Sequence, residues 1–114
     1  MIELRLPIPP SVNAMYRNVR GRGRVKTGHY RAWLADADKW LLTQRRGLGR
    51  VSGPCTVEIF VPASMRGDCS NRIKAAEDFL VSREITGDDR HNWKVSIERD
   101  EGLTDGCLVR VRAR

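Results

Sequence analysis

The chain has 114 residues, a length that suits one domain and leaves little room for a second. Its hydrophobic share of 40% and charged share of 31% are ordinary for a folded globular protein and exclude a chain that stays disordered. Lysine and arginine number 21 against 14 aspartates and glutamates, so the formal net charge is +7. This balance favours an acidic partner, and nucleic acid is the first candidate.

The positive charge is concentrated in one segment of the chain. Residues 16–50 contain ten basic residues and only two acidic ones, Asp36 and Asp38, so this segment carries +8 and the remainder −1. Arginine outnumbers lysine 17 to 4, and the planar guanidinium group suits phosphate oxygens better than an ammonium group does. A solvated surface is the alternative explanation, but the composition favours contact with a nucleic-acid backbone.

Three cysteines, Cys55, Cys69 and Cys107, include no C-x-x-C pair. A structural zinc site or a disulfide framework is therefore not expected. The N-terminus lacks the basic and apolar regions of a signal peptide, and no segment has the roughly 20 apolar residues needed to cross a bilayer. We expect a cytoplasmic protein with reduced thiols and no membrane contact.

The first predicted element is a strand in which Ile2, Leu4 and Leu6 alternate with polar residues. Three prolines within residues 7–10 end it. Residues 11–28 combine glycines and arginines without periodicity, which predicts a mobile basic loop.

An amphipathic helix is predicted next, with Thr27 as its start signal and Arg45 and Arg46 near its negative end. Its apolar residues recur at helical spacing: Tyr30, Trp33, Leu34, Ala37, Trp40 and Leu41. Residues 55–61 then alternate between apolar and polar side chains, which predicts a second strand.

A second helix is predicted from about Ser70 to Arg83, because Ile73, Ala76 and Leu80 form one apolar stripe. Residues 93–97 and 107–111 alternate as strands and are predicted to pair as an antiparallel hairpin. The order β-α-β-α-β-β predicts a single α/β domain, a mixed sheet of about four strands with two main helices.

Acidic residues that can act together lie between Asp68 and Asp89. Asn71, Lys74 and Asp78 share one stripe of the second helix, opposite its apolar face. Asp68 precedes that helix, and Asp88 and Asp89 follow it on a glycine turn.

Carboxylates from two segments converging with a lysine suit a divalent cation beside a phosphate. Singly, each residue has a plainer explanation: a cap, an i,i+4 ion pair or a turn. An acidic cluster in a basic chain would repel nucleic acid unless a metal neutralised it, so the combination favours a metal-dependent phosphodiesterase.

Three segments carry a resemblance to a known family. They are LPIPPSVNAMYR at 6–17, GDCSNRIKAAEDFL at 67–80 and the pair Asp88-Asp89. In this order and at these spacings they resemble the RusA family of Holliday junction resolvases, and the resemblance covers nearly the whole chain.

The resemblance implies a RusA-like fold and a homodimeric endonuclease of bacteria, encoded by a phage or prophage. Such an enzyme depends on Mg²⁺, with Mn²⁺ as a substitute, and nicks two opposed strands of a four-way DNA junction. It implies Asp68, Lys74 and Asp89 as catalytic residues, and Asp68, Asp89, Asp88, Asp78 and Ser70 as the metal site. Ser70 stands where the family pattern has an aspartate, which removes one negative charge from the cation site.

DNA binding is assigned to the basic loop and to two motif asparagines. The residues are Asn13, Tyr16, Arg17, Arg20, Arg22, Arg24, Lys26 and Asn71. Tyr16, Tyr30, Trp33 and Trp40 are candidates for stacking on opened bases, although the helical spacing of Trp33 and Trp40 favours packing.

Two other functions stay open from the sequence. One is a junction-binding or architectural protein whose active site is weakened by Ser70. The other is an RNA-binding accessory protein, which explains the basic loop but leaves the acidic helix face without a role.

Overall fold

The computed structural model describes Met1–Arg114 and contains six strands and two α-helices. In chain order these are β1 (Ile2–Leu6), β2 (Tyr16–Val19), β3 (Gly23–Lys26), α1 (Gly28–Gln44), β4 (Cys55–Pro62), α2 (Ile73–Ser82), β5 (Asn92–Asp100) and β6 (Cys107–Ala113). Short 3₁₀ turns occupy Val12–Ala14, Cys69–Arg72 and Asp89–His91. The predicted α/β class and both main helices are confirmed.

A four-stranded mixed sheet in the order β1-β6-β4-β5 forms the centre of the fold. β6 is antiparallel to both β1 and β4, whereas β4 and β5 run parallel. The parallel pair is joined by the crossover that contains α2. Because α2 connects two neighbouring strands, the segment that enters α2 and the turn that leaves it both pass close to β5.

The predicted hairpin between residues 93–97 and 107–111 is wrong. Both segments are strands, but β4 lies between them and pairs with each. Cys107, Val109 and Val111 are fully buried, as expected for a strand with neighbours on both sides. Alternation shows which face of a strand is buried but not which strand lies beside it, so the pairing was not readable from the pattern.

The predicted mobile loop at residues 11–28 is also wrong. After the turn at Val12–Ala14, β2 and β3 form an antiparallel hairpin in which Arg17 pairs with Val25. Gly21 and Gly23 adopt positive φ angles of 78° and 71° where the chain reverses. The hairpin has no fully buried residue, so it lacks the apolar alternation that predicts a strand.

Helix α1 begins as predicted at Thr27, whose side-chain oxygen accepts a hydrogen bond from the Tyr30 backbone N–H at 3.1 Å. The predicted helix from about residue 70 is regular only from Ile73, because its first turn, Cys69–Arg72, is 3₁₀. Its buried residues include Ala76 and Leu80 of the predicted stripe.

Both helices contribute to one core with the sheet. Trp33 of α1 meets Phe79 of α2 edge to face, with ring centroids 5.6 Å apart. Asp38 of α1 and Arg83, which directly follows α2, form a 2.6 Å ion pair. This contact holds the pKa of the Asp38 carboxyl below its usual range. The Cα radius of gyration of 14.1 Å fits one domain of this length. Neither helix combines the length and the apolar character needed to cross a membrane.

Candidate functional site

Lys74, in the first turn of α2, connects the helix with the turn before β5. Its Nζ atom lies 2.9 Å from Oδ1 of Asp78 and 3.8 Å from Oδ2 of Asp89. The hydrogen bond to Asp78 raises the pKa of Lys74, and the charges of Asp78 and Asp89 act in the same direction. The structure therefore brings three of the predicted site residues together: the carboxylates of Asp78 and Asp89 lie around the Lys74 ammonium group, which stays charged.

Asp88 and Asp89 are adjacent in sequence but have different surroundings. The Asp88 carboxylate caps the following turn by accepting a hydrogen bond from the Arg90 backbone N–H at 3.1 Å. This bond, followed by one with the Asp89 side chain, holds the pKa of Asp88 below its usual range. Asp88 is thus ionised and shapes the turn, while the half-exposed Asp89 side chain faces Lys74.

Asp68 and Ser70 lie on the segment that enters α2. Asp68 occupies the N-cap position of the 3₁₀ turn with an extended backbone, yet its side chain makes no capping hydrogen bond. Both side chains are exposed, and Asp68 forms no ion pair. No three His, Cys, Asp or Glu side chains come close enough to form a group that could hold a metal ion as they stand.

Two arginines that the sequence did not single out hold this segment in place. The Arg99 guanidinium of β5 donates to the carbonyl oxygens of Ala63, Met65 and Gly67, the last at 2.6 Å. Arg72 donates to the carbonyl of Pro9 at 3.0 Å, which ties the segment to the proline-rich start of the chain. Because these bonds end on backbone carbonyls far away in sequence, no motif or periodicity signals them.

The basic hairpin, defined as β2, β3 and the turn between them, holds most of the predicted DNA-binding residues. Its five basic side chains are exposed, and none forms an ion pair with a carboxylate. They are Arg17, Arg20, Arg22, Arg24 and Lys26. Their positive charge is therefore available to a ligand.

Beside the hairpin lies an open pocket of about 330 Å³. It is lined by Val12, Asn13, Tyr16, Arg17, Asn18 and Arg24. The Arg24 guanidinium lies over the Tyr16 ring, 3.7 Å from its centroid. A planar cation on an aromatic ring, next to an amide and a second arginine, can contact both a phosphate and a base.

The pocket lies next to the acidic cluster, which we define as Asp78 and Asp89 around Lys74. The 3₁₀ turn Val12–Ala14 packs against both Cys69–Arg72 and α2. Tyr16 contacts Tyr30 edge to face at 5.6 Å, and burial raises the pKa of Tyr30 to about 12, with smaller contributions from Tyr16 and Asp78. The contacts of the turn Val12–Ala14 thus place the basic hairpin beside the helix that carries Lys74.

The aromatic residues proposed for stacking separate into buried and accessible ones. Tyr30 and Trp33 are buried, and the Trp33 indole N–H donates to the Pro7 carbonyl at 3.1 Å, so packing is confirmed for Trp33. Tyr16 remains half-exposed in the pocket. The sequence did not single out Trp93, which is 65% exposed at the start of β5.

A scan of the chain against protein-family models and a search of curated proteins each found no match.

Proposed function

We propose that this protein is a Mg²⁺-dependent, structure-selective endodeoxyribonuclease that resolves four-way DNA junctions by paired symmetric nicks. The observation that carries the proposal is the position of Lys74 between Asp78 and Asp89, beside a pocket lined by unpaired arginines. The resemblance of the motifs to the RusA family supplies the choice of a branched DNA substrate and of a homodimer.

The donor chemistry fits the implied cation. Asp68, Asp78, Asp88 and Asp89 offer carboxylate oxygens, the hard donors that Mg²⁺ prefers. Asp68 and Asp89 would hold the ion, with Asp78 and Asp88 adding negative charge and Ser70 offering a neutral hydroxyl. When bound, the cation supplies a lower pKa for a water molecule and neutralises charge on a phosphate oxygen.

The chain's own residues have separable roles in this proposal. Lys74 steadies negative charge on the scissile phosphate or on the leaving oxygen, because its ammonium group is charged and half-exposed. Arg99 and Arg72 are positioning residues that hold the segment bearing Asp68 and Asn71. The basic hairpin contacts phosphates and contributes affinity without sequence information.

The role given to Asp89 is tested by measuring junction binding and junction nicking separately. Asp89→Asn should abolish nicking of a synthetic four-way junction in Mg²⁺ while junction binding stays equal or tightens, because a negative charge near phosphate is lost. Asp36→Asn, an exposed aspartate of α1, is the matched control and should nick like the wild type. An Asp89→Asn protein that nicks normally, or that only binds more weakly, would contradict the role given to Asp89.

A junction-binding protein without nuclease activity is the second candidate, and Ser70 is the observation that favours it. The neutral, exposed Ser70 hydroxyl leaves the entrance to α2 one carboxylate short of the family pattern. In that case the wild type binds junctions in a salt-sensitive manner without nicking them, and Ser70→Asp creates the activity.

We further propose that the protein works in a reducing, cytoplasmic environment of a bacterium, encoded by a phage or prophage. The free state of Cys55, Cys69 and Cys107 supports the reducing environment.

A further inference from the structure

The two edges of the four-stranded sheet differ in whether another element covers them. At the β1 edge, the Gln44 side chain accepts a hydrogen bond from the Arg5 N–H at 2.6 Å and donates one to the Arg5 carbonyl at 2.8 Å. Helix α1 thereby packs against β1 and satisfies both outward backbone groups of Arg5. At Arg5 this edge is therefore closed to another strand.

The opposite edge, β5, is open. β5 is nine residues long, contains no proline and pairs only with β4. Outside that ladder no backbone group from Trp93 to Arg99 forms a hydrogen bond within the chain, whereas the carbonyl of Asp100 accepts two. Long open edges with unpaired N–H and C=O groups are templates for a further strand.

The side chains of β5 are complementary to those of a second β5 strand that runs antiparallel to it. In an antiparallel pair of two β5 strands centred on Ser96, Lys94 lies opposite Glu98 of the second copy, and Val95 lies opposite Ile97 of the second copy. If the centre moves to Val95, Lys94 faces Ser96 and Glu98 faces Asn92. If it moves to Ile97, Lys94 faces Asp100 but Glu98 faces the uncharged Ser96. Of these three registers, only the one centred on Ser96 pairs both Lys94 and Glu98 with an opposite charge.

Within one copy, these side chains lack the partners that this register supplies. Lys94 and Glu98 are exposed and form no ion pair in the chain. Val95 and Ile97 pack against the core but remain half-buried. Trp93, next to them, is 65% exposed. A second copy covers the apolar residues and pairs both charges twice.

We propose that the outer edge of β5 is the dimer interface, where two copies pair antiparallel about a two-fold axis at Ser96 and form one continuous eight-stranded sheet. This interface deepens the proposed function, because it is the contact that places two nuclease sites in one particle.

Charge reversal and its rescue test the register. In sedimentation velocity over a range of protein concentrations, the wild type should shift from 13.0 kDa to twice that mass. Lys94→Glu or Glu98→Lys alone should weaken the dimer by about tenfold, because each sets like charges opposite one another at two symmetric positions. The double variant Lys94→Glu with Glu98→Lys should restore the wild-type affinity.

Lys39→Glu, which makes the same charge change on an exposed residue of α1, is the control and should dimerise normally. Thermal unfolding of each variant checks that the monomer still folds. A wild type that stays monomeric, single variants that dimerise like the wild type, or a double variant that is not rescued would each overturn the interface. A monomer that nicks junctions refutes the interface alone, whereas a dimer that does not nick refutes the nuclease alone.

Discussion

At the scale of single residues, some contacts of the candidate site were predictable from the sequence and others were not. Helical spacing was enough to place Lys74 and Asp78 on one face, and the structure sets them 2.9 Å apart. Asp89 was brought to the same lysine by a turn whose path periodicity does not describe. Arg99 and Arg72 were not predicted, because their partners are backbone carbonyls that become neighbours only in the folded chain.

At the same scale, two buried groups predict how stability depends on pH. Burial raises the pKa of Tyr30 and that of the Cys107 thiol to about 12 each. In the unfolded chain they ionise at their ordinary values of 10.0 and 9.0, so the unfolded state loses protons first as the pH rises. The stability they contribute is present below pH 9 and should fall progressively between pH 9 and 12.

Urea unfolding at a series of pH values from 8 to 11 measures this dependence. Cys107→Ala should lower the free energy of unfolding at every pH but flatten its decline above pH 9, since one of the two groups is gone. A wild-type free energy of unfolding that stays constant from pH 8 to 11 would contradict the buried, protonated state of both groups.

At the scale of whole elements, the sequence predicted which helices and strands exist better than it predicted which strands pair. β1, α1, β4 and α2 were found close to their predicted positions, because each has a clear apolar period. The sequence did not predict that β6 pairs with β4 instead of β5, nor that the basic segment folds into a hairpin. Strand partners depend on tertiary contacts, and a surface hairpin needs no apolar alternation.

The entry into β6 predicts one sensitive glycine. Gly106 has a φ of 69°, and a Cβ there would lie 2.5 Å from the Leu6 carbonyl oxygen and 2.6 Å from the Trp40 ring. Gly106→Ala should therefore destabilise the protein by about 2 kcal/mol or more, as strain and overpacking add. Gly23→Ala has a similar φ of 71° but open space around it, and should cost about 1 kcal/mol. Equal losses in urea unfolding would contradict the close approach at Gly106.

The basic hairpin has its own prediction. Replacing Arg22 and Arg24 together by alanine should weaken junction binding and reduce the slope of log affinity against log salt by about 2, because two phosphate contacts are lost. The control removes two arginines, Arg112 and Arg114, from β6 and the chain end, where they contact Glu58 and Thr56. A slope that changes equally in both double variants would mean that the hairpin is not the DNA contact.

In the whole molecule, the basic surface and the acidic cluster lie side by side, although they come from different segments of the sequence. The segment carrying +8 folds into the basic hairpin and α1, and the acidic cluster lies beside it on α2 and the turn before β5. A basic surface alone would predict only binding. A basic surface next to Asp68, Lys74 and Asp89 predicts cutting of what is bound, and the open β5 edge predicts that two such sites work together.

The most direct measurement is the cleavage of a synthetic four-way junction, with wild type and Asp68→Asn assayed side by side in Mg²⁺ and in chelator. The account predicts paired nicks from the wild type in Mg²⁺ alone, and none from Asp68→Asn although it still binds the junction. A junction left intact by the wild type in both Mg²⁺ and Mn²⁺, at protein concentrations that saturate binding, would contradict metal-assisted cleavage.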